Sequence, residues 1–309
     1  MRLYKEYICS AALNAGFIRA RVLSPFNFDA SRYPQYAGGE KSILVCALPY
    51  GNQHQENCLP PEAGGCPAAI APFARFNYYR EAVRRMKRIA SLVRLRYGGE
   101  KCSFRILCNS SAPEKHIAAA SGLGAFSRNG LIISPEAGSL FVIAAMTLPV
   151  TLESDPPLAG AGDAHFPLCV DCGEKPPCAA ACPTGAVLGN GFIDRARCVQ
   201  WYASGHGSPE LGLNGIPATV RAVWGTRLYG CTACQDACVH NKCPIQGVTT
   251  SEGRLPGFID ARELLRLSDS DIKSMFKGTA MGLSWLGPRS IRRNAEAVLE
   301  YQSLRTNSG

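Results

Sequence analysis

The sequence predicts an α+β or α/β protein in three parts: an α/β domain over residues 1–160, a cysteine-rich module over residues 161–250 and a short helical tail over residues 251–309. Helical and strand patterns alternate as far as about residue 150, which is typical of an α/β arrangement. A stretch rich in proline, glycine and alanine follows, and this is where we place the first boundary. Cysteines are then dense until shortly before the tail begins.

Composition and charge restrict the class of protein. The chain has 309 residues and 46% hydrophobic content, which is enough for one large core or two modest ones. Its net charge of +9 indicates an anionic partner such as nucleic acid or phosphate. The first residues lack the apolar run of a signal peptide, and no run approaches the roughly 20 apolar residues of a membrane span. We therefore expect a cytoplasmic protein, a monomer, that does not associate with membranes.

Strands and helices can be placed along the first part from their apolar patterns. The opening residues predict a helix that ends at Gly16, and the apolar run 42–48, ending at Pro49, predicts a buried strand of a covered sheet. Residues 51–73, rich in Gly and Pro, indicate a long loop. The other predicted elements are strands at 17–23, 104–108, 131–134 and 139–146, and helices at 117–123, 268–277 and 288–302.

A basic amphipathic helix is predicted over residues 74–97. Its apolar positions form one stripe at helical spacing, which indicates the face turned to the core. Much of the remaining surface consists of Arg80, Arg84, Arg85, Lys87, Arg88, Arg94 and Arg96. Two interpretations stay open at this point: a solvated outer face, or a face that binds phosphate.

The cysteines of the second part form two motifs. The first is Cys169-Val-Asp-Cys172 followed by Cys178-Ala-Ala-Ala-Cys182-Pro183, and the second is Cys198 followed by Cys231-Thr-Ala-Cys234-Gln-Asp-Ala-Cys238. Two-cluster ferredoxins use a C-x2-C-x2-C-x3-C-P run whose last cysteine ligates the other cluster. We therefore expect a two-cluster ferredoxin-like module with two adjacent 4Fe-4S clusters. The predicted ligands are Cys169, Cys172, Cys178 and Cys238 for one cluster, and Cys182, Cys198, Cys231 and Cys234 for the other.

Two alternatives to this ligand set stay open. The loop 173–177 is longer than the usual two residues, so Cys178 is the least secure ligand and Cys243 is a substitute for it. A pair of structural zinc sites is the competing interpretation, because zinc held by four cysteines also uses CxxC pairs. The C-x3-C-P step favours the iron–sulfur interpretation, since zinc sites do not require it.

Several segments together resemble one family of enzymes. They are Pro113-Glu-Lys, Ser121-Gly-Leu-Gly-Ala-Phe-Ser-Arg-Asn129, Ile133-Ser-Pro-Glu-Ala-Gly-Ser139, the two cysteine motifs, Tyr229-Gly-Cys-Thr-Ala-Cys-Gln235, Phe276-Lys-Gly-Thr-Ala280 and Ile291-Arg-Arg-Asn-Ala295. In this order they resemble epoxyqueuosine reductase, a cobalamin-dependent enzyme of tRNA modification. The resemblance covers roughly residues 70–296.

The resemblance implies a cobalamin-binding α/β domain and an oxidoreductase that removes the epoxide oxygen during queuosine biosynthesis in tRNA. Electrons would pass from a donor of ferredoxin or flavodoxin type through the clusters to cobalamin. The cobalamin contacts that it implies are Ile133, Ser134, Gly138, Ser139 and Ala144. Arg289, Arg292 and Arg293 lie in the first turns of the last helix, where the helix dipole disfavours cations. We expect a basic face for tRNA there, and pairing with local carboxylates stays open as the alternative.

The chain departs from this family at the expected proton donor. Asn109 stands where the family has an aspartate, and an amide cannot supply the proton. Tyr78 and Tyr79 are the remaining candidates for that role, so the predicted catalytic positions are Asn109, Tyr78 and Tyr79. Two other functions stay open: an iron–sulfur electron-transfer or reductive-activation protein that has lost the epoxide chemistry, and a cobalamin reductase that acts on another substrate.

Overall fold

The chain folds around two hydrophobic cores in a computed structural model that describes residues 2–24, 42–51, 65–98, 100, 104–159, 166–243, 245–282 and 285–306. The described helices are α1 (Arg2–Asn14), α2 (Tyr78–Tyr97), α3 (Glu114–Ala120), α4 (Pro177–Ala180), α5 (Val199–Ala203), α6 (Ala218–Arg221), α7 (Ala233–Asp236), α8 (Ala261–Arg266), α9 (Asp269–Phe276) and α10 (Pro288–Thr306). The described strands are β1 (Arg19–Leu23), β2 (Ser42–Pro49), β3 (Pro67–Ile70), β4 (Ile106–Leu107), β5 (Ala125–Phe126), β6 (Ile132–Ile133), β7 (Phe141–Leu148), β8 (Arg227–Tyr229) and β9 (Phe258–Asp260). None of the described helices is long and apolar enough to cross a membrane.

The first core is built on a four-stranded antiparallel sheet in the order β1-β2-β7-β4. The middle strand β2 is buried at all eight positions, so both faces of the sheet are covered and the predicted buried strand is confirmed. Helices α1 and α2 pack against each other and against the sheet, and α3 packs on β7. The mixture of helices and strands predicted for this part is confirmed.

The second core contains a three-stranded sheet in the order β8-β3-β9, packed by α8, α9 and α10. Strand β3 lies inside the segment that we predicted to be a loop, so that prediction is wrong at Pro67–Ile70. Residues 52–64 of the same segment lie outside the described residues. The strand forms because its backbone pairs with strands far along the chain, as in the register Pro67↔Asp260. The second core thus combines N-terminal and C-terminal segments, and the boundaries at residues 160 and 250 stay predictions.

The C-terminal helices form where the sequence predicts them. Ser268 caps α9 and Asp271 accepts a hydrogen bond from the Ser268 backbone N–H, which completes the expected capping box. The predicted helix at 117–123 lies three residues earlier, at Glu114–Ala120, because Gly122 adopts a positive φ of 69° and ends it. These helices position the second core behind the cysteine module.

Candidate metal centres and the adjoining cavity

Four cysteines of the first predicted group face one small space. Cys169, Cys172, Cys178 and Cys238 line the same pocket, at the junction of a 3-10 turn (Val170–Cys172), α4 and the end of α7. Burial raises the pKa of the Cys178 thiol, and its neighbours Cys238 and Cys169 raise it further. Such mutual repulsion is relieved when thiolates bind cations, because metal ligands must be deprotonated. The structure therefore brings together the first predicted set.

The second predicted group lines a larger cavity. Cys182, Cys198, Cys231 and Cys234 lie on one wall of it. Burial, then the neighbouring thiols with Cys231 first, raise the pKa of Cys234 to about 12. Burial also acts on Cys182, but hydrogen bonds outweigh it and lower its pKa; the Thr184 hydroxyl lies 3.6 Å from the Cys182 sulfur. The second set is therefore also assembled.

Two short helices connect the groups. Each C-x3-C step spans one turn, so α4 carries Cys178 towards one group and leads to Cys182 in the other, and α7 does the same for Cys234 and Cys238. Residues four apart on a helix share a face and are separated by about 6 Å along its axis. Helices α4 and α7 also pack against each other. This packing places the two groups side by side, as the interleaved spacing predicts.

Within the described part of the chain, no three His, Cys, Asp or Glu side chains are close enough to hold one metal ion. Cys243, the alternative to Cys178, is exposed and does not line either space. Among the described residues, four thiols around each space are the donor set that a 4Fe-4S cluster requires.

The cavity beside the second group has a volume of about 270 Å³ and lies between the cysteine module and the first core. The rest of its lining is mainly apolar and aromatic, and includes Phe73, Tyr79, Phe141 and Val142. Pockets with apolar walls and a few placed polar groups are typical of sites for organic ligands and cofactors. The arrangement joins a redox centre to a space for an organic ligand.

The three predicted catalytic residues lie in different environments. Tyr79 lines the cavity, and burial raises the pKa of its phenol, so the phenol is neutral near pH 7. Tyr78 is 1% exposed, and its hydroxyl has no hydrogen-bond partner in the described part of the chain. Asn109 is exposed at a φ of 54° and does not line the cavity, while its N–H donates to Glu114 at 3.1 Å.

The residues predicted to contact cobalamin are also dispersed. Ser139 lines the cavity, whereas Ile133 packs against Cys169 and Cys238 of the first group. Gly138 lies against His240 and Asn241, and the Ser134 hydroxyl donates to Glu136 at 2.7 Å. Ala144 is fully buried in the middle of β7, opposite Cys46. Ser139 is the member of this set that lies on the cavity wall.

A buried polar network at the cavity wall was not found from the sequence. The Gln235 amide donates to the Tyr50 hydroxyl at 2.8 Å and to the Ser139 carbonyl at 3.0 Å. The Asn241 amide donates to the Ser139 hydroxyl at 2.9 Å, and its oxygen accepts from the Ser139 N–H at 2.8 Å. This network ties α7, which carries cysteines of both groups, to the end of the first sheet. The one signal in the sequence is the position of Gln235 directly after Cys234.

The prediction of a C-terminal basic face is wrong for two of its three arginines. Arg293 is 1% exposed and donates to the carbonyls of Tyr202 and His206. Arg292 donates to the Leu267 carbonyl at 2.7 Å and pairs with Asp269. Both guanidinium groups hold α10 to its neighbours, and only Arg289 of the three is exposed.

Comparisons with known proteins identify the module and the fold. A family profile described as a 4Fe-4S double cluster binding domain matches residues 168–241. Epoxyqueuosine reductase of Staphylococcus aureus (strain NCTC 8325 / PS 47) is 30% identical over 193 residues, which cover 61% of this chain and 45% of that protein. Thus the chain spans about half the length of the first curated relatives that it matches.

Solved structures agree over nearly the whole chain. The structure of epoxyqueuosine reductase from Bacillus subtilis, with its catalytic loop swung out of the active site, has a TM-score of 0.79 at 22% identity and covers 97% of this chain and 82% of that one. A crystal structure of epoxyqueuosine reductase with an epoxyqueuosine-modified tRNA stem loop has a TM-score of 0.77 at 22% identity, with the same coverage. The fold of this chain is therefore the fold of the epoxyqueuosine reductases, and residues 168–241 match a double 4Fe-4S cluster binding domain.

Proposed function

We propose that this protein is a cobalamin- and iron–sulfur-dependent reductase that removes the epoxide oxygen of epoxyqueuosine in tRNA. The observation that carries the proposal is the cavity whose lining includes both the second cysteine group and Tyr79. An organic cofactor in this cavity lies next to one cluster, and the first group lies behind that cluster, towards the electron donor. The curated relatives named epoxyqueuosine reductase support the choice of substrate.

The residues present fit the two clusters, and the described cavity of about 270 Å³ takes one part of a cobalamin and not the whole of it. The first cluster is held by Cys169, Cys172, Cys178 and Cys238, and the second by Cys182, Cys198, Cys231 and Cys234. The apolar aromatic wall with Phe73 and Phe141 suits the flat ring of a corrinoid, and Ser139 supplies a polar contact at its edge. When bound, the clusters supply one-electron transfer and the cobalamin supplies a reducible cobalt centre.

We assign Tyr79 as the proton donor. The reaction takes up two electrons from a ferredoxin- or flavodoxin-type donor and two protons, breaks both C–O bonds of the epoxide, leaves a C=C double bond between its two carbons and releases the oxygen as water. Because burial raises the pKa of Tyr79, its phenol keeps its proton near pH 7 and can donate it to the departing oxygen. Water that reaches the cavity can then restore the proton. Asn109 has no acidic proton to give, so the role falls to a different side chain from that of the family.

The test uses anaerobically purified protein reconstituted with iron, sulfide and cobalamin, with an epoxyqueuosine-modified tRNA stem loop as substrate. We expect turnover by the wild type and a loss of at least about 100-fold in Tyr79→Phe, the usual range for removing a general acid. Tyr78→Phe is the matched control, because it removes a hydroxyl that has no partner in the described structure. Both variants should keep the cluster spectrum of the wild type.

The outcomes separate the alternative functions. Cobalamin binding without turnover of this substrate would indicate a reductase for another substrate. Full clusters without any cobalamin binding would indicate an electron-transfer protein. Turnover only after Asn109→Asp would show that the exposed loop, and not Tyr79, has to supply the proton, and would refute our assignment.

A further inference from the structure

The outer face of α2 carries four cations within its first three turns. They are Arg80, Arg84, Lys87 and Arg88, and we call them the α2 basic face. The side chains of Arg80 and Arg84 are 63% and 40% exposed, and Lys87 and Arg88 are exposed as well. Residues three, four, seven and eight apart lie on one side of a helix. We propose that the α2 basic face binds the phosphate backbone of RNA.

A groove runs along this face. A cavity of about 650 Å³ separates α1 from α2, with Ser10 and Asn14 on the α1 side and Arg84 and Arg88 on the α2 side. Between them Arg85 is 12% exposed, and it donates to the Ala15 carbonyl and to Glu81, so it is part of the framework. The groove thus carries hydrogen-bonding groups on its α1 side and cations on its α2 side, set among apolar residues such as Ile89 and Leu92. Its cations suit an anionic ligand with hydrogen-bond acceptors.

Grouping these cations on α2 destabilises the folded protein, and a bound anion would offset this destabilisation. Arg80 and Arg84, and Arg84 and Arg88, are like charges four residues apart, which destabilise a helix. Arg80 also lies in the first turn, where the helix dipole disfavours a cation. Two carboxylates offset part of this charge: Glu81, which is 1% exposed and bonds Arg84 and Arg85, and Glu252, which lies 3.4 Å from Arg80. Four cations and these two carboxylates leave the α2 basic face with a net positive charge.

The place of α2 in the fold favours RNA among anionic partners. Tyr79, in the first turn of α2, lines the cavity, and Arg80 follows it directly. From Tyr79 to Arg88 the helix advances about 14 Å, a distance over which a nucleic-acid backbone presents several phosphates. An RNA whose modified nucleoside approaches the cavity at Tyr79 therefore has phosphates within reach of the same helix. This step rests on the proposed function, whereas the charge and the groove do not.

The test compares two double variants of the cluster-loaded full chain. Lys87→Gln with Arg88→Gln removes two cations of the α2 basic face and keeps good helix formers. Lys273→Gln with Arg266→Gln is the matched control, since both residues are exposed, on α9 and α8, and the charge change is the same. Binding of an RNA stem loop is measured by fluorescence polarisation over a range of salt. The logarithm of the binding constant falls linearly with the logarithm of the salt concentration, and each lost phosphate contact makes this slope shallower by about 0.7 for single strands. We therefore expect a slope shallower by about 1.4 and roughly tenfold weaker binding at about 0.15 M salt.

Several results would overturn the proposal. One is unchanged RNA binding in the α2 variant, and another is an equal loss in the control. A third is weaker binding of the α2 variant to phosphatidylserine vesicles without weaker binding to RNA, which would assign the face to a membrane surface. Measuring turnover as well as RNA binding distinguishes failure of this proposal from failure of the proposed function. If the wild type turns over and the α2 variant binds RNA normally, only the proposal for the α2 basic face is refuted. If RNA binds through α2 but the wild type does not turn over, only the proposed reductase function is refuted. A wild type that binds no RNA refutes both.

Discussion

Gln235 joins the cysteine module to the first core, and replacing it should loosen that junction without removing a ligand. The side chain of Gln235 is buried beside Cys234, and its amide donates at 2.8 Å to Tyr50, at 3.0 Å to the Ser139 carbonyl and at 3.1 Å to the Ser139 hydroxyl. Gln235→Leu keeps the approximate size of the side chain but removes both amide hydrogens. We therefore expect the amides around Ser139 to open more often.

The magnitude follows from the bonds that remain. After the substitution the Ser139 hydroxyl still accepts from Asn241, and the Ser139 carbonyl still accepts from Tyr50 at 3.3 Å. Two donor hydrogens are lost, each contributing about 1 kcal/mol net, so local opening should become easier by about 2 kcal/mol. This corresponds to a roughly 30-fold larger opening constant.

Hydrogen exchange followed by mass spectrometry measures this opening on the cluster-loaded protein. Peptides that contain Ser139 and α7 should lose about 30-fold of their protection, and peptides from β8 and α10 should not change. Thr232→Val is the matched control, because it removes an exposed hydrogen bond from Thr232 to Asp236 at the start of the same helix. Its effect should stay below about 0.5 kcal/mol.

Two results would refute this account of the junction. Protection at Ser139 in Gln235→Leu equal to that of the wild type would mean that the network does not hold the module to the core. An equal loss of protection throughout the chain would mean that the substitution destabilises the whole fold instead of one junction.

Three further predictions concern the clusters and the buried charges. Cys178→Ser should halve the iron and acid-labile sulfide bound per chain, whereas Cys243→Ser should keep both, as measured by metal analysis; the reverse result would make Cys243 the ligand. The pKa of Glu81 is held below its ordinary value of 4.5 by Arg84 and Arg85 against the opposing effect of burial, so its stabilisation is present above about pH 4.5 and is lost as the pH falls further. The unfolding midpoints of the wild type and Glu81→Gln should accordingly differ at pH 7 and converge as the pH falls below about 4.5, and a constant difference would contradict the coupling. Arg293→Met removes charged hydrogen bonds to the carbonyls of Tyr202 and His206, of which the Tyr202 carbonyl keeps its bond from the Gly205 N–H, and should lower the thermal midpoint by about 5 to 10 °C. Arg289→Met should leave the midpoint nearly unchanged, and equal effects would refute the internal role of Arg293.

Local patterns determined most of the regular elements. The helix stop at Gly16, the capping box at Ser268 and the apolar strand at 42–48 depend on neighbouring residues, and all three form as predicted. The cysteine spacing likewise determined how the thiols divide, because a C-x3-C step within one helical turn must carry successive thiolates to neighbouring positions. The groups found around the two spaces are the groups that the spacing predicts.

Contacts between distant segments were decided only by the tertiary structure. Strand β3 forms because β8 and β9 pair with it, and no local pattern in Pro67–Ile70 indicates that it pairs with those strands. Arg292 and Arg293 carry the same sequence signal as surface cations, yet the packing of α10 turns them towards the carbonyls of Leu267 and Tyr202. The Gln235 network joins residues up to 185 positions apart. The sequence by itself therefore determined, through cysteine spacing, which thiols group together, whereas the cavity and its polar network depend on which distant surfaces pack together.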